Sequence, residues 1–442
     1  MFGETTLLSA THIAELLNAP APPADFPAAR GMAFNSSRVR PGDVFFALPG
    51  ATTHGMRFAD DALTKGAAFV VSDRPHDRGL QVSDPAAALL ALGRWARANL
   101  TGPVIGITGS VGKTTTKAFL AAALGAPSSP GNFNTPLALA TTLFNTYLEM
   151  GAETPLVLEL GIDHIGEMAQ LVDVVNPTHG LLTAVAASHL EGLGSLETVA
   201  AEKSKLLSAA QHRWASVQAA GFLSPTLRAS VTTYGLEPDA DRTGRVVANR
   251  PAGQRVEYRG VVFDLNYPGE AVARNAVGAL VVAEALGFSV EEATARLEGV
   301  RLEPGRLLPV TRGAARLLDD TYNSNPASAA EALAVLRAAP GPRTAILGDM
   351  LELGADSETL HEELGRQTLG LDRVLAIGPE AAALGAGNPQ VEVFASFGEA
   401  LPVLAALRLE GTLLVKASRG MHFERVVEAL HKLASQKQRV PA

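Results

Sequence analysis

One stretch, VIGITGSVGKTTTKAFL from Val104 to Leu120, constrains this chain more than any other. It reads as an apolar strand over Val104–Thr108, a glycine-rich turn, and a helix opening on Lys113. Glycines let backbone N–H groups turn inward to form an anion nest, and a helix N-terminus adds partial positive charge. Strand, turn and helix in this order are the context that distinguishes a phosphate-cradling loop from a chance run of small residues. Gly109, Ser110, Gly112, Lys113, Thr114 and Thr115 are therefore the candidate nucleotide contacts. Lys113 would reach the β- and γ-phosphates, and the Thr114 hydroxyl would ligate Mg²⁺. The spacing departs from G-x-x-x-x-G-K-[ST] at its first position, where Ile107 stands and the glycine is displaced to Gly109.

The remainder of the chain supports an α/β reading. At 442 residues it is too long for a single core, so two or three domains are expected. Up to about residue 100 a Pro/Ala-rich stretch precedes SSRVRPGDVFFALPG, in which the turn Pro41-Gly42-Asp43 leads into an apolar strand. From Val104 strands and helices alternate, with a β-rich texture between about residues 215 and 268. After EPGRLLPV, five strand-like words (ARLLDD, RTAILGD, DRVLAIG, VEVFAS and GTLLVKAS) are each followed by a helical pattern. That alternation predicts a parallel, doubly wound sheet. Asp319, Asp320, Asp349, Lys416 and Ser418 fall where those strands end, the edge at which open α/β sheets bind ligands.

Composition excludes several classes. A net charge of −8 argues against a nucleic-acid binder. No cysteine is present, which removes disulfides and thiolate metal sites and fits a cytoplasmic protein. The opening MFGETTLLSATHIAELL has neither a basic n-region nor a long apolar stretch, so no signal peptide is expected, and no run is apolar enough to span a bilayer.

Further residues complete a phosphoryl-transfer site. Glu159 closes the apolar strand PLVLELG, where a carboxylate can bind Mg²⁺. His189 lies in the loop AASHLEGLGS, between Glu159 and the next candidate; alone, a loop histidine is more often solvated. In the helix SLETVAAEKSKLL, Leu196, Val199, Ala200 and Leu207 share one face. Lys203 falls on that same stripe, whereas Lys205 points elsewhere. An apolar stripe disfavours the charged amine. A neutral amine can take up CO₂ as a carbamate and offer two oxygens to a second metal; the alternative is an aliphatic stem snorkelling to solvent. Asn132 and Asn134 sit in GNFNTPLAL, where short amides can make either substrate contacts or simple turn contacts.

Several long words in a fixed order carry a resemblance: the phosphate loop itself, GNFNTPLALATTLFN, LVLELGIDHIGEMAQLVDVVNPTHGLLTAVAASHLEGLGSLETVAAEKSKL, DDTYNSNPASAAEAL, AILGDMLELG and VKASRGMHFERVVEAL. Together they resemble the Mur ligase family of ATP-dependent amide-bond ligases over nearly the whole chain. The resemblance implies a three-domain α/β architecture with a central P-loop ATPase domain and a C-terminal Rossmann-like, doubly wound domain. The corresponding divisions are 1–100 for the UDP end of the substrate, 101–308 for ATP, and 309–442 for the ligase domain. It implies ATP and two Mg²⁺ ions as cofactors. The words are most similar to the branch that joins D-alanyl-D-alanine to UDP-N-acetylmuramoyl-tripeptide, acting in the cytoplasm as a monomer without a nucleic-acid partner.

By the resemblance, Lys113 and Thr114 meet ATP phosphates and Mg²⁺. Glu159 and His189 take the acidic and imidazole metal positions, and Lys203 that of a carbamylated lysine. Asn275 is similar to an adenine-contacting residue and Arg306 to an arginine that meets the γ-phosphate. Asp320, Tyr322, Asn323 and Asn325 resemble a segment closing over the nucleotide, with Asn323 on its substrate side. Lys416, Ser418 and Arg419 resemble substrate-side residues. The family's N-terminal word D-S-R-x-V-x-P-G-D, aligned without a gap, places Asn35 at the acid and Ser37 at the arginine, with Arg38 one place on. Ser36 and Ser37 are thus the candidate UDP-end contacts. Thr135, where the family usually has Asn, joins Asn132 and Asn134 as a substrate candidate, and Arg274 stands where His is usual. Two alternatives stay open: a related ligase adding another amino acid to a nucleotide-sugar peptide or to folate, and a nucleotide-dependent switch without ligase chemistry. Against the switch, the chain lacks an N-K-x-D guanine word and supplies Glu159, His189 and Lys203 for metal-assisted transfer.

Overall fold

The computed structural model describes residues 6–250, 253–312 and 314–437; the first five residues of the leader reading therefore lie outside them. The N-terminal body carries a four-stranded sheet in the order β1-β2-β3-β4, formed by Gly31–Ala33, Asp43–Phe46, Phe69–Ser72 and Gly79–Gln81. All of its neighbours run parallel. Helix α1, Pro85–Asn99, leaves this sheet. Asp84 caps it by accepting from the backbone N–H groups of Ala86 and Ala87, and Pro85 fits the first turn, where no donor is needed.

The central sheet begins with β5 (Val104–Thr108), β6 (Leu156–Glu159) and β7 (His179–Leu182), buried at every position. Near-continuous apolar runs of this kind suit parallel strands covered on both faces. β8 (His212–Ser216), β9 (Thr232–Gly235), β10 (Arg242–Arg250), β11 (Gly253–Tyr258) and β12 (Val261–Leu265) extend it in the order β12-β11-β10-β9-β8-β7-β5-β6. Pairing is parallel from β6 to β10, then turns antiparallel through β11 and β12. The β-rich texture of the sequence is this edge meander. Because β5 lies between β6 and β7, the chain winds both ways from it, and a crevice opens at the carboxyl ends of these strands.

Helices cover both faces. On one, α2 (Lys113–Leu124) packs against α5 (Glu270–Ala285) through Phe119, Leu120, Val277 and Leu280. On the other lie α3 (Pro136–Met150) and α4 (Leu196–Ala209). Leu89 and Leu92 of α1 join Leu139 and Leu143 of α3 in one hydrophobic cluster, so the N-terminal body shares its core with the central one.

The C-terminal sheet has the order β13-β14-β18-β15-β16-β17. Its parallel strands, β14 (Ala314–Asp320), β15 (Arg343–Gly348), β16 (Arg373–Ile377), β17 (Glu392–Phe394) and β18 (Glu410–Lys416), are the five anticipated βα units. The structure adds β13 (Leu308–Arg312), antiparallel on the edge. Pro309 within it suits an edge strand, since proline has no ladder N–H to give. Helix α6, Pro326–Ala338, starts from a capping box in which Ser328 N–H donates to the Asn325 side chain.

Candidate active site

At the carboxyl end of β5 the chain turns through Gly109 and Gly112, both at positive φ, 154° and 87°. A Cβ on Gly109 would lie 2.0 Å from the Thr183 hydroxyl, and one on Gly112 2.5 Å from Oδ1 of Asn275. Both glycines are therefore required by close approach as well as by backbone sign. Ser110, Gly112, Lys113, Thr114, Thr115 and Asn275 line one large cavity of about 700 Å³ together with Glu159, His189, Arg306, Asp320, Tyr322, Asn323, Asn325 and Lys416. Residues scattered over more than three hundred positions of sequence thus meet in one crevice. Lys113 donates to the Gly109 carbonyl at 2.6 Å. Burial holds its pKa below the usual lysine range, with Arg306 pushing the same way and Glu159 opposing.

Thr114 is the hub of the loop. Its hydroxyl donates to Glu159 Oε2 at 2.7 Å and accepts from Arg306 Nη2 at 2.8 Å. Glu159 is buried at the end of β6. The Arg306 guanidinium lies 3.8 Å from the Tyr322 ring centroid, a cation–π contact that fixes it over the loop. A residue that sequence reasoning missed is Lys117, one turn into α2. It is buried, sits 3.4 Å from Glu159 Oε2, and donates to the Gly131 carbonyl at 2.5 Å. It ties the acidic residue to the loop carrying Asn132, Asn134 and Thr135. Only Asn134 of those three lines the cavity; Asn132 and Thr135 are exposed beside it.

Lys203 lies on the buried face of α4 with Val199, Ala200 and Leu207 and is fully inaccessible to solvent. Among the described residues its Nζ has no hydrogen-bond partner. Burial, and after it the charge of Lys113, pushes its pKa well below that of an ordinary lysine. Lys205 instead pairs with Glu202. His189 has a left-handed backbone, φ 54°, and its Nδ1 lies 3.2 Å from Asp163 Oδ1 and 2.5 Å from Glu352 Oε2. Burial lowers its pKa, Asp163 opposes, and Lys113 and Lys203 add to the lowering.

From the C-terminal side, Lys416 Nζ donates to Asp320 Oδ2 at 2.6 Å and to the Asn323 carbonyl at 2.8 Å. Asp320 Oδ1 accepts from Leu307 N–H at 3.0 Å, so it steadies the segment that carries Arg306. Asn325 Nδ2 reaches the Ser110 carbonyl at 3.4 Å, a direct bond between the C-terminal body and the phosphate loop. Ser418 and Arg419 do not line the cavity. Ser418 bonds the Ser324 carbonyl and Leu351 N–H, while the Arg419 guanidinium lies 5.8 Å from the Tyr322 ring.

A second cavity, about 420 Å³, opens between the N-terminal sheet and α3, lined by Phe34, Asn35, Arg38, Phe133, Asn145 and others. Arg38 stacks 4.2 Å from the Phe133 ring centroid. Ser36 and Ser37 do not line it; the Ser37 hydroxyl donates to Asn35 Oδ1 in a short helical turn. The shift of the arginine by one place, legible in the sequence, is what brings Arg38 to the cavity wall.

Three family models match the chain: Mur ligase family, catalytic domain over 29–89; Mur ligase middle domain over 107–283; and Mur ligase, glutamate ligase domain over 305–419. The UDP-N-acetylmuramoyl-tripeptide–D-alanyl-D-alanine ligase of Escherichia coli (strain K12) is 32% identical over 426 residues, 90% of this chain and 93% of that protein. The chain belongs to the Mur ligase family. The ligase of the same description from Synechocystis sp. is 33% identical over 88% of this chain and 89% of its own length. Among solved structures, a crystal structure of MurF from Acinetobacter baumannii superposes with a TM-score of 0.84 at 26% identity, covering 97% of this chain and all of that one. MurF from Thermotoga maritima, in complex with ADP, gives 0.78 at 28% identity over 92% of this chain and 99% of its own. The mixed α/β, three-domain Mur ligase fold is therefore that of this protein.

Among the described residues no three His, Asp or Glu side chains converge as a preformed metal cage. A Mur ligase need not have one, because Mg²⁺ keeps waters and is bound through one or two carboxylates plus substrate phosphates. The hydroxyl–carboxylate pair Thr114–Glu159 fits that donor set, whereas the Lys203 amine, without a partner among the described residues, would offer oxygens only as a carbamate. Among the described residues no helix is long and apolar enough to cross a membrane.

Proposed function

We propose that this Mur ligase joins D-alanyl-D-alanine to UDP-N-acetylmuramoyl-tripeptide in the cytoplasm, using ATP and Mg²⁺, and so completes the peptide of a peptidoglycan precursor. The observation that carries the reading is the convergence of the phosphate loop, Glu159, His189 and Arg306 on one cavity that residues of the C-terminal body also line, with Lys203 buried within electrostatic reach of His189 and Lys113, in a chain whose full-length relatives bear that description.

A carboxylate is a poor electrophile, so the γ-phosphate first moves to the tripeptide carboxylate to give an acyl phosphate. The amine of D-alanyl-D-alanine then attacks its carbonyl, and phosphate leaves from the tetrahedral intermediate. The chain's part is positioning and charge neutralisation. The loop amides from Gly109 to Thr115 cradle the phosphates, and Lys113 neutralises the transferring group. Arg306, stacked on Tyr322 and bonded to Thr114, meets the same charge from the opposite side. Thr114 and Glu159 would hold one Mg²⁺; His189 and a carbamate on Lys203 would hold the other. Bound there, the metals draw charge from the phosphate oxygens. Asn275 packs on the loop toward the nucleotide base. Asn323 and Lys416, with Ser418 and Arg419 behind them, form the side from which the dipeptide enters. Closing this side excludes water, which would hydrolyse the acyl phosphate. The UDP end occupies the second cavity, with Arg38 and Phe133 on its wall. With the divisions 1–100, 101–308 and 309–442, each cavity lies between two bodies: the UDP end between the first and second, the nucleotide between the second and third.

The test is phosphate release by the purified chain with ATP and Mg²⁺. Release that requires both UDP-tripeptide and D-alanyl-D-alanine supports the ligase. Release that needs neither would identify a nucleotide switch, and preference for another amino acid would identify a related ligase.

A further inference from the structure

The segment GDMLELG takes no direct part in phosphoryl transfer, yet it reaches the active site. It leaves β15 on the C-terminal body, and its Glu352 spans to the central body in two ways. The carboxylate Oε2 lies 2.5 Å from His189 Nδ1, and the backbone carbonyl accepts from Glu191 N–H at 3.2 Å. Both partners carry a β-carbon and both are left-handed, His189 at φ 54° and Glu352 at φ 66°. Such backbones persist only where the surroundings over-determine them, and they gather at functional sites. The loop is anchored behind: His361 is fully buried, and its Nε2 accepts from Met350 N–H at 2.9 Å. Ser418 Oγ accepts from Leu351 N–H at 2.9 Å. Glu352 itself is exposed and has no packing role.

With carboxylates of Glu352 and Asp163 both facing Nδ1, that nitrogen carries the proton and Nε2 keeps its lone pair. A metal-binding histidine is ordinarily oriented by a carboxylate on its other nitrogen. Asp163 belongs to the central body, as His189 does, whereas Glu352 arrives from the C-terminal body.

We propose that Glu352 is a positioning residue for His189. By taking its Nδ1–H across the interface, it completes the second metal position only when the C-terminal body is seated. Metal assembly is thereby coupled to closure, and the acyl phosphate is made only where water is already shut out. The proposal rests on the ligase reading for its chemistry, but not for its test.

The experiment uses the full chain with Mn²⁺ as probe. Two Mn²⁺ affinities are measured by electron paramagnetic resonance in the presence of a non-hydrolysable ATP analogue and UDP-tripeptide, and kcat and KM are measured separately. Glu352→Ala should weaken the second Mn²⁺ about tenfold, leave the first unchanged, and lower kcat about tenfold at constant KM for ATP, the scale of lost metal-orienting partners. Glu352→Gln keeps an acceptor oxygen of the same reach and should recover most of that loss. A contact that merely glues the bodies together would not select between the two ions. Wild-type affinity for both ions in Glu352→Ala overturns the proposal, as does a loss seen in Asp163→Asn but not in Glu352→Ala. Were the wild-type chain to make no amide bond, the ligase reading would fail, and the Mn²⁺ titration would still decide this one.

Discussion

Replacing Lys203 by Met should make the protein more stable and inactive at once. The side chain is fully buried on α4 and its amine has no partner among the described residues. A buried donor left unmade costs about 1–3 kcal/mol. Burial also disfavours the charged amine, so any proton that the unfolded lysine keeps and the folded one gives up adds a cost in the same direction. Methionine fills nearly the same volume without either cost, so the variant should gain at least about 1 kcal/mol, or about 2–4 °C in Tm for a domain of this size. The pH dependence has a definite sign. The unfolded lysine holds its proton up to about 10.5, while the folded one has lost it at lower pH. The unfolded state therefore binds more protons across that window, and wild-type stability climbs with pH up to 10.5. The variant should lack this slope. Thermal unfolding in CO₂-free buffer between pH 7 and 10, beside phosphate-release assays, measures both. A variant less stable than wild type, or equally active, would refute the view that this lysine is held for chemistry at the expense of packing.

Arg306→Ala should lower kcat about a hundredfold, as loss of one transition-state charge donor does, with UDP-tripeptide affinity intact by calorimetry; a weakened affinity would place Arg306 in ground-state binding instead. Arg38→Ala removes the contact with Phe133 and should raise KM for UDP-tripeptide several-fold, about 1 kcal/mol, while KM for ATP stays constant. Equal changes in both constants would remove the second cavity from the substrate path.

The phosphate loop was legible because its residues are consecutive and glycine is required there by φ and by close approach. Lys203 was legible because α-helical spacing alone places it on an apolar face, whatever packs against that face. The five parallel strands of the C-terminal sheet were legible as apolar runs, but β13 was not: a short edge strand containing Pro309 looks like linker. Lys117 follows Lys113 by one helical turn and reads as a surface cation; only the packing of the 131–135 loop over it reveals that it is buried against Glu159. Nothing local in AILGDMLELG marks Glu352, because its partner lies 163 positions away on another body.

The account stands most directly on where the oxygen of the released phosphate comes from. With UDP-tripeptide labelled with ¹⁸O in its terminal carboxylate, the acyl phosphate bridge is one of the two labelled oxygens. Each amide bond formed should therefore send one ¹⁸O into phosphate and keep one in the peptide. Unlabelled phosphate, released in step with ADP, would mean that water and not the carboxylate receives the phosphoryl group, and would contradict the ligase chemistry.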